Sequence, residues 1–153
     1  MLKFLLEFIA TGFFSGKLPK MPGTWGSILA SILCYFFWPS NLTYQILIII
    51  VTFSLSVLSS DFVSKQLREK DPDIVVIDEI LGIEITFLGL NVYHDIKLAF
   101  LGLLIFRVID IIKPPPIPWF ERLPGGWGIT VDDAVAGIVS NFLLRLVGGL
   151  IYV

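Results

Sequence analysis

At residues 74–82 the chain reads Ile74-Val75-Val76-Ile77-Asp78-Glu79-Ile80-Leu81-Gly82. Two adjacent carboxylates, those of Asp78 and Glu79, interrupt a stretch that is otherwise apolar on both sides. An ionised group is costly to remove from water, so acids in such surroundings are usually functional. The alternative is a pair of acids solvated at the end of a helix. The stretch favours an apolar helix with at least one carboxylate directed into protein or a cavity.

The composition of the whole chain is that of a membrane protein. Of its 153 residues, 56% are hydrophobic and 16% are charged, and its mean hydropathy is +0.86. Soluble domains are about 45–50% apolar and about 25% charged. We therefore predict a single membrane-embedded domain over residues 1–153, with the bilayer as a partner. The composition excludes a disulfide scaffold and a disordered chain, and the net charge of −2 excludes a nucleic-acid-binding surface.

Apolar runs separated by turn residues predict an all-α helical bundle. The runs cover residues 28–38, 42–58, 80–90, 96–112 and 134–153. Turn signals at residues 39–41 and 89–95 join neighbouring runs into two helical hairpins. Residues 1–14 carry apolar side chains at helical spacing, which is typical of an amphipathic helix on a membrane surface. The predicted architecture is a bundle of membrane-embedded helical hairpins with an amphipathic N-terminal helix, in an unknown oligomeric state.

Local sequence signals predict two helix starts and one irregular loop in the polar segments. Asp71-Pro72 is typical of a helix start, with Asp71 as the cap and Pro72 in the first helical position. Residues 113–128 hold five of the nine prolines, which predicts an irregular loop. Thr130 precedes Asp133 by three residues, a spacing that resembles a capping box at the start of the last helix.

Inside the third run, Glu84 is expected to pair with Arg107 or to be protonated.

The two hairpins fix the orientation of the chain in the membrane. Each hairpin enters the membrane and returns to the side from which it started. The polar stretches at residues 15–27, 61–79 and 110–133 therefore lie on the same side of the membrane. Basic residues favour the cytoplasmic side, and the opposite side offers only Lys97. The shared side carries seven basic residues: Lys17, Lys20, Lys65, Arg68, Lys70, Lys113 and Arg122. We predict a multi-pass protein of the cytoplasmic (inner) membrane with its active site on the cytoplasmic face.

Acidic residues gather at three helix ends on that side: Asp78 with Glu79, Asp110 with Arg107 and Lys113, and Asp132 with Asp133. The middle cluster spaces its charges three residues apart, so they share one helix face. It is either an ion-pair ladder or a metal-binding Asp110 beside a phosphate-binding Lys113. Acids in a first turn also suit the helix dipole, which accounts for Asp133 but not for Asp132. Three such ends can converge on one site at the membrane surface.

The residue types narrow the chemistry of such a site. One histidine, His94, and one cysteine, Cys34, argue against a zinc site or a Ser-His-Asp triad. Carboxylate ligands without nitrogen or sulfur favour Mg²⁺. A carboxylate-held metal beside lysines suits phosphoryl chemistry. Residues 22–27 place glycines and hydroxyls at a helix start, which is either an anion-binding element or an ordinary N-cap.

Four blocks of sequence, in this order, resemble the phosphatidylglycerophosphatase A family of bacterial membrane phosphatases. They are residues 22–27, residues 71–72 with 77–82, residues 107–114 and residues 128–137. The resemblance implies an all-helical, Mg²⁺-dependent phosphomonoesterase. Its substrate would be a phospholipid, phosphatidylglycerophosphate, converted to phosphatidylglycerol and phosphate in glycerophospholipid biosynthesis.

The resemblance also leads to a hypothesis for the roles of individual residues. The candidate magnesium ligands are Asp78, Glu79, Asp110 and Asp133. The candidate catalytic residues are these four and Asp132, of which Glu79 or Asp132 is the base. The candidate ligands of the substrate phosphate are Lys20, Thr24, Ser27 and Lys113. A covalent phospho-aspartate is the rival path.

Two other classes of protein compete with the enzyme. A small transporter or proton relay also uses carboxylates near membrane helices, but only Glu84 and Arg145 lie deep within the apolar runs. A non-catalytic assembly factor for lipid enzymes would carry the same acids and release no phosphate.

Overall fold

The computed structural model describes residues 1–151, and those residues form helices and connecting turns without a strand. The prediction of an all-α fold is confirmed. The helices are α1 (Leu2–Ala10), α2 (Pro22–Phe37), α3 (Leu42–Leu67), α4 (Ile77–Thr86), α5 (Ile96–Ile112), α6 (Ile117–Phe120) and α7 (Gly126–Ile151). A short 3₁₀ turn, Ser15–Lys17, lies between α1 and α2.

Helix α4 lies at the centre of the bundle. Eight of its ten residues are buried, and it packs against α2, α3, α5 and α7. Leu81 and Ile83 have no exposed surface. The third apolar run is therefore short because protein, and not lipid, surrounds it.

The C-terminal end of α4 is closed by side chains from its neighbours. Asn141 Nδ2 donates to the carbonyl oxygens of Thr86 (2.8 Å) and Leu88 (2.9 Å). Arg145 Nη2 donates to the same Leu88 oxygen at 2.7 Å, and Gln45 Oε1 accepts from the Gly89 N–H at 2.7 Å. These bonds satisfy backbone groups that a helix end leaves unpaired. They give Arg145 a structural role.

Both predicted turns between paired helices are confirmed. Helix α2 ends at Phe37 and α3 begins at Leu42, where Asn41 Oδ1 accepts from the Thr43 N–H at 2.8 Å. At the second turn Asp95 Oδ1 accepts from the Leu98 N–H at 2.9 Å and caps α5. A side-chain oxygen at the N-cap satisfies one of the free N–H groups of the first turn.

Two predicted helix starts are wrong. Residues 71–76 are not helical, because the Val76 N–H donates to the carbonyl of Ala10 at 2.9 Å and the chain turns between Pro72 and Val75. Helix α7 begins at Gly126, before the predicted start. Thr130 is consequently inside the helix, fully buried, and its hydroxyl lies 2.8 Å from that of Ser56.

Of the two alternatives expected for Glu84, the pairing with Arg107 is wrong. Glu84 Oε1 accepts a hydrogen bond from Thr52 Oγ1 at 3.1 Å. The guanidinium of Arg107 is paired with Asp110 instead. The two charged groups that the sequence places inside the apolar runs, Glu84 and Arg145, therefore have separate local partners.

Large apolar side chains cover much of the outer surface. Among the described residues, α3 alone is both long and apolar enough to cross a membrane, by length and composition. Exposed apolar side chains also lie on α1, α2, α5 and α7; they include Leu2, Phe4, Phe36, Phe37, Phe100, Ile112 and Phe142. An apolar surface of this extent marks contact with lipid or with another protein.

Gly82 lets α4 approach two of its neighbours closely. A Cβ atom there would lie 2.3 Å from Cε2 of Phe106, whose ring is fully buried, and 3.1 Å from the Asp133 carbonyl oxygen. We expect Gly82→Ala to lower the free energy of unfolding by about 1–3 kcal/mol, because overpacking displaces neighbours. Thermal unfolding of the detergent-solubilised protein measures the change.

Gly148→Ala is the matched control for that substitution. Among the described residues, and apart from the adjacent turns of its own helix, no atom lies within 4 Å of a Cβ at Gly148, and alanine has the higher helix propensity. This variant should unfold at or above the wild-type temperature. Equal stability of both variants would contradict the tight packing assigned to Gly82.

Candidate active site

Four helix ends meet around one cavity of about 400 Å³. The N-terminal ends of α2, α4 and α7 and the C-terminal end of α5 contribute its polar wall. The charged residues that line it are Asp71, Asp73, Asp78, Glu79, Arg107, Asp110, Lys113, Asp132 and Asp133. The three acidic clusters predicted to converge are brought together in this cavity.

The helix dipoles match the charges that they carry. Asp78 and Glu79 lie in the first turn of α4, where the partial positive charge of the helix stabilises anions. Lys113 is the C-terminal cap of α5, where partial negative charge stabilises a cation. These three residues therefore have the sign of charge that their helix end favours, whereas Asp110, in the last turn of α5, does not.

Asp78, Glu79 and Asp133 form the most compact group of acids. One carboxylate oxygen from each lies within 4.8 Å of the other two, and Asp78 and Asp133 are 7% and 4% exposed. Asp78 Oδ1 and Glu79 Oε2 are buried without a hydrogen-bond partner in the protein. Hard oxygen donors left unpaired in this way fit a divalent cation such as Mg²⁺.

Burial raises the pKa values of these three acids, and repulsion between them raises those of Asp78 and Asp133 further. Burial, followed by the charges of Glu79 and Asp133, raises the pKa of Asp78 well above its usual value. Burial, followed by the charges of Asp110 and Glu79, does the same to the pKa of Asp133. Burial also raises the pKa of Glu79 to about 7, against the lowering effects of Asp78 and Arg107. Without a cation, the group holds protons that free carboxyls would release.

Arg107 connects this group with the end of α2. Its Nη1 donates to Asp110 Oδ2 at 2.5 Å and approaches Ser27 Oγ at 3.5 Å. Its Nε is buried without a partner. Asp110 is thereby tied to a guanidinium and lies outside the compact group of three acids, although its charge still affects the pKa of Asp133.

Lys113 joins Asp132, which lines the cavity, to Glu121, which does not. Its Nζ donates to Asp132 Oδ2 at 2.7 Å and also to Glu121. Burial by itself lowers the pKa of this ammonium, but the two hydrogen bonds outweigh burial and raise it. Burial raises the pKa of Asp132 to about 6, although Lys113 lowers it. The second oxygen of Asp132, Oδ1, is buried without a partner.

Gly23 lets the start of α2 reach the carboxylates. A Cβ there would lie 2.1 Å from Glu79 Oε1 and 3.3 Å from Arg107 Nη1. Any side chain at this position would displace Glu79. Gly23, in the predicted anion-binding segment, therefore allows the start of α2 to lie close to the start of α4.

The predicted phosphate ligands are only partly brought to the cavity. Lys113 lines it, whereas the side chain of Lys20 is exposed elsewhere. Ser27 is buried and donates to the Gly23 carbonyl at 2.8 Å, and Thr24 Oγ1 is buried without a partner. Neither hydroxyl lines the cavity; the backbone around Gly23 does.

Three charged residues of the cavity are absent from the predicted catalytic, metal and phosphate ligands. The spacing placed Arg107 one helical turn before Asp110 on the same face, but only as a member of an ion-pair ladder. Asp71 and Asp73 gave no such signal, because they precede the helix in a segment whose path depends on contacts with distant residues.

The sequence matches known proteins over most of its length. The family described as Phosphatidylglycerophosphatase A matches residues 8–148. A protein of that name from Escherichia coli is 35% identical over 143 residues, covering 92% of this chain and 81% of the relative. Another, from Haemophilus influenzae, is 33% identical over 140 residues, covering 88% and 83%.

A further relative carries a different name. The Bacteroides thetaiotaomicron protein named "Putative phosphatidylinositol-3-phosphatase" is 34% identical over 151 residues, covering 94% of this chain and 93% of the relative. No solved structure matches the chain significantly.

The raised pKa values predict how pH affects stability when no cation is bound. Between the ordinary pKa of a carboxyl and the raised value, the folded protein binds more protons than the unfolded chain, so the free energy of unfolding falls as pH rises. With a chelator present, we expect the melting temperature to fall as the pH is raised from about 5 to about 8. The fall should be about 2–4 °C for each kcal/mol lost from the free energy of unfolding. Thermal unfolding across that range measures the slope.

Asp133→Asn is the informative variant for this prediction. Removing one of the crowded charges should flatten the slope and raise the melting temperature of the metal-free protein near neutral pH. A wild-type melting temperature that rises over the same range would mean that the carboxyls are not protonated in the folded state.

Proposed function

The chain belongs to the phosphatidylglycerophosphatase A family and is therefore a phosphatase; we propose that it hydrolyses phosphatidylglycerophosphate in a Mg²⁺-dependent reaction. The products are phosphatidylglycerol, for glycerophospholipid synthesis, and phosphate. The observation that best supports the proposal is one cavity that holds three close carboxylates, two buried and one half-buried, beside the cations Arg107 and Lys113. Acids for a metal and cations for a phosphate are the two elements that phosphoryl transfer needs.

Asp78, Glu79 and Asp133 are the proposed ligands of Mg²⁺, and Asp110 adds its charge beside them. The bound cation would neutralise phosphate charge and polarise the phosphorus–oxygen bonds. The unpaired oxygens of Asp78 and Glu79 supply donors directed into the protein interior. Arg107 holds Asp110 in place through its 2.5 Å contact.

Arg107 and Lys113 are the proposed ligands of the substrate phosphate. The guanidinium keeps unused N–H groups beside the cavity, and its planar donors suit phosphate oxygens. Lys113, the C-terminal cap of the same helix, supplies a second cation to the cavity. In this arrangement Arg107 takes the role that the sequence gave to Lys20.

Asp132 is the proposed general base. Its pKa of about 6 lets it accept a proton near neutral pH, and Lys113 fixes one of its oxygens. The free Oδ1 takes a proton from water as the water oxygen bonds to phosphorus. The bond from phosphorus to the glycerol oxygen breaks in line, and that oxygen takes up a proton from solvent.

The location proposed for the enzyme is the cytoplasmic membrane, with several helices embedded and the cavity on the cytoplasmic face. A lipid substrate requires membrane association, and exposed apolar side chains on α2, α3 and α5 support deep embedding. Lys97 lies at the opposite end of α5 from Asp110, about 20 Å away along the helix axis. The distribution of basic residues therefore agrees with the predicted orientation.

The decisive assay measures phosphate release from phosphatidylglycerophosphate by detergent-purified protein, with Mg²⁺ and with a chelator. We expect release that requires Mg²⁺ and a loss of about a hundredfold or more in Asp78→Asn, since even changes to outer-shell partners of a metal typically cost 10–100-fold. Mg²⁺ should also raise the melting temperature of the wild type more than that of the variant.

Glu69→Gln is the control, because Glu69 is an exposed acid that does not line the cavity. Phosphatidylinositol 3-phosphate serves as the competing substrate, since one relative is named for it. Faster release from that lipid would replace the proposed substrate. A folded protein that binds Mg²⁺ and releases phosphate from neither lipid would favour the non-catalytic assembly factor.

A further inference from the structure

A separate cavity lies between α2, α3 and α4. Its volume is about 160 Å³, and it shares no lining residue with the cavity of the candidate active site. Glu84 lies on its wall, six residues after Asp78 and about 9 Å farther along the axis of α4. The other lining residues are Ala30, Leu33, Cys34, Phe37, Trp38, Ile48 and Ile80. This mostly apolar cavity is therefore distinct from the acids that the proposed reaction uses.

Two polar groups of this wall are buried without a hydrogen-bond partner among residues 1–151. They are the Nε1–H of Trp38, a residue that is only 4% exposed, and Oε2 of Glu84. The other oxygen of Glu84 accepts from Thr52 Oγ1 at 3.1 Å. A buried polar group without a partner is costly, and the N–H of a buried tryptophan usually has one. The two groups therefore call for a ligand with polar atoms of its own.

A hydroxyl group has the chemistry that both groups need. The indole N–H of Trp38 only donates, so its partner must offer an acceptor oxygen. The carboxyl of Glu84 accepts a hydrogen bond when it is ionised, and both donates and accepts when it is protonated. A hydroxyl combines an acceptor oxygen with an O–H donor and suits the pair in either state. A plain hydrocarbon chain would leave both groups unpaired.

The cavity also limits the size of its occupant and gives it a path of entry. Apolar protein cavities of about 150 Å³ hold a molecule of the size of benzene, so there is room for about six non-hydrogen atoms. Three apolar residues of the wall, Leu33, Phe37 and Ile48, are exposed on the outside of the bundle. A longer chain can therefore continue from the cavity onto this surface, where the proposed location places lipid.

The geometry points to a binding site for a hydroxyl-bearing alkyl chain, which enters from the bilayer between α2 and α3. In this site the hydroxyl accepts from Trp38 Nε1 and bonds to Glu84 Oε2. Its first carbons pack against Ala30, Cys34 and Ile80. The inference rests on the membrane location in the proposed function and not on phosphate release. A free long-chain alcohol and a lipid with a hydroxylated acyl chain offer the same group.

The site is tested first with hexan-1-ol and heptane, which have the same number of non-hydrogen atoms. Each is titrated into the detergent-purified wild type, and its affinity is expressed per mole fraction in the micelle. We expect hexan-1-ol to raise the melting temperature saturably and to bind about tenfold more tightly than heptane, as for one hydrogen bond to a buried polar group. Equal affinities overturn the site. So does the lack of a saturable effect, which would mean that the two polar groups bind water only.

Trp38→Phe removes the indole N–H and keeps an aromatic ring in the wall. The affinity for hexan-1-ol should fall about tenfold, and that for heptane should stay unchanged. Trp119→Phe is the matched control, because Trp119 is exposed and does not line the cavity. Neither affinity should change in the control. A Trp38→Phe variant that still prefers hexan-1-ol as the wild type does would contradict the role of the N–H.

Cys34 gives a second measurement on the unaltered chain, since it is the single cysteine and lines the cavity. Methyl methanethiosulfonate adds a small methylthio group to a thiol, and an occupied cavity should slow the labelling of Cys34. In lipid nanodiscs, dodecan-1-ol is compared with dodecane, and a phosphatidylcholine with a hydroxylated acyl chain is compared with the same lipid without the hydroxyl.

Protection of Cys34 by either hydroxylated compound supports the site and identifies the source of its ligand. Protection by neither overturns the site, even if the wild type is an active phosphatase. Because labelling does not require phosphate release, protection would support the site even if no lipid were hydrolysed. The inference and the proposed function therefore fail separately.

Discussion

Helix α4 is too short to reach from one side of a membrane to the other, and the rest of the structure is arranged around that constraint. Its ten residues rise about 15 Å, half of the roughly 30 Å apolar core of a bilayer. Both of its ends therefore lie inside protein, and each leaves backbone groups that need partners. Asn141 and Arg145 satisfy the C-terminal carbonyls. The N-terminal end carries Asp78 and Glu79 and becomes one wall of the cavity.

The carboxylates of that cavity are held together against their mutual repulsion by the packing of apolar residues elsewhere. Phe106 and Leu81 are fully buried, and Gly82 and Gly23 remove the side chains that would keep the helices apart. The protein spends packing free energy to keep like charges close. Under the proposed function, this crowding is the source of the affinity for Mg²⁺, which the same acids spread over a surface would lack.

Much of the architecture follows from local sequence signals, and the errors occur where distant contacts override them. The turns at Asn41 and Asp95 were predictable because a side-chain cap and neighbouring turn residues act within a few positions. Asp71-Pro72 has the pattern of a helix start, but the hydrogen bond from Val76 to Ala10 holds the segment in another path. The convergence of the acidic clusters was predictable from topology. The three-residue spacing offered the ion pair of Arg107 with Asp110, which the structure contains, but spacing did not decide between Asp110 and Glu84 as the partner.

One helix, α7, carries two acids of the cavity and the residue that closes the end of α4. Asp133 faces the cavity, and Asn141, eight positions later, closes the far end of α4. Inserting or deleting one residue between them would rotate one relative to the other by about 100° and shift it by about 1.5 Å. A change in this separation would therefore misplace either Asp133 at the cavity or Asn141 at the end of α4. Insertions and deletions among related proteins are therefore expected in the connecting segments, such as the proline-rich segment before α7, and not within this part of α7.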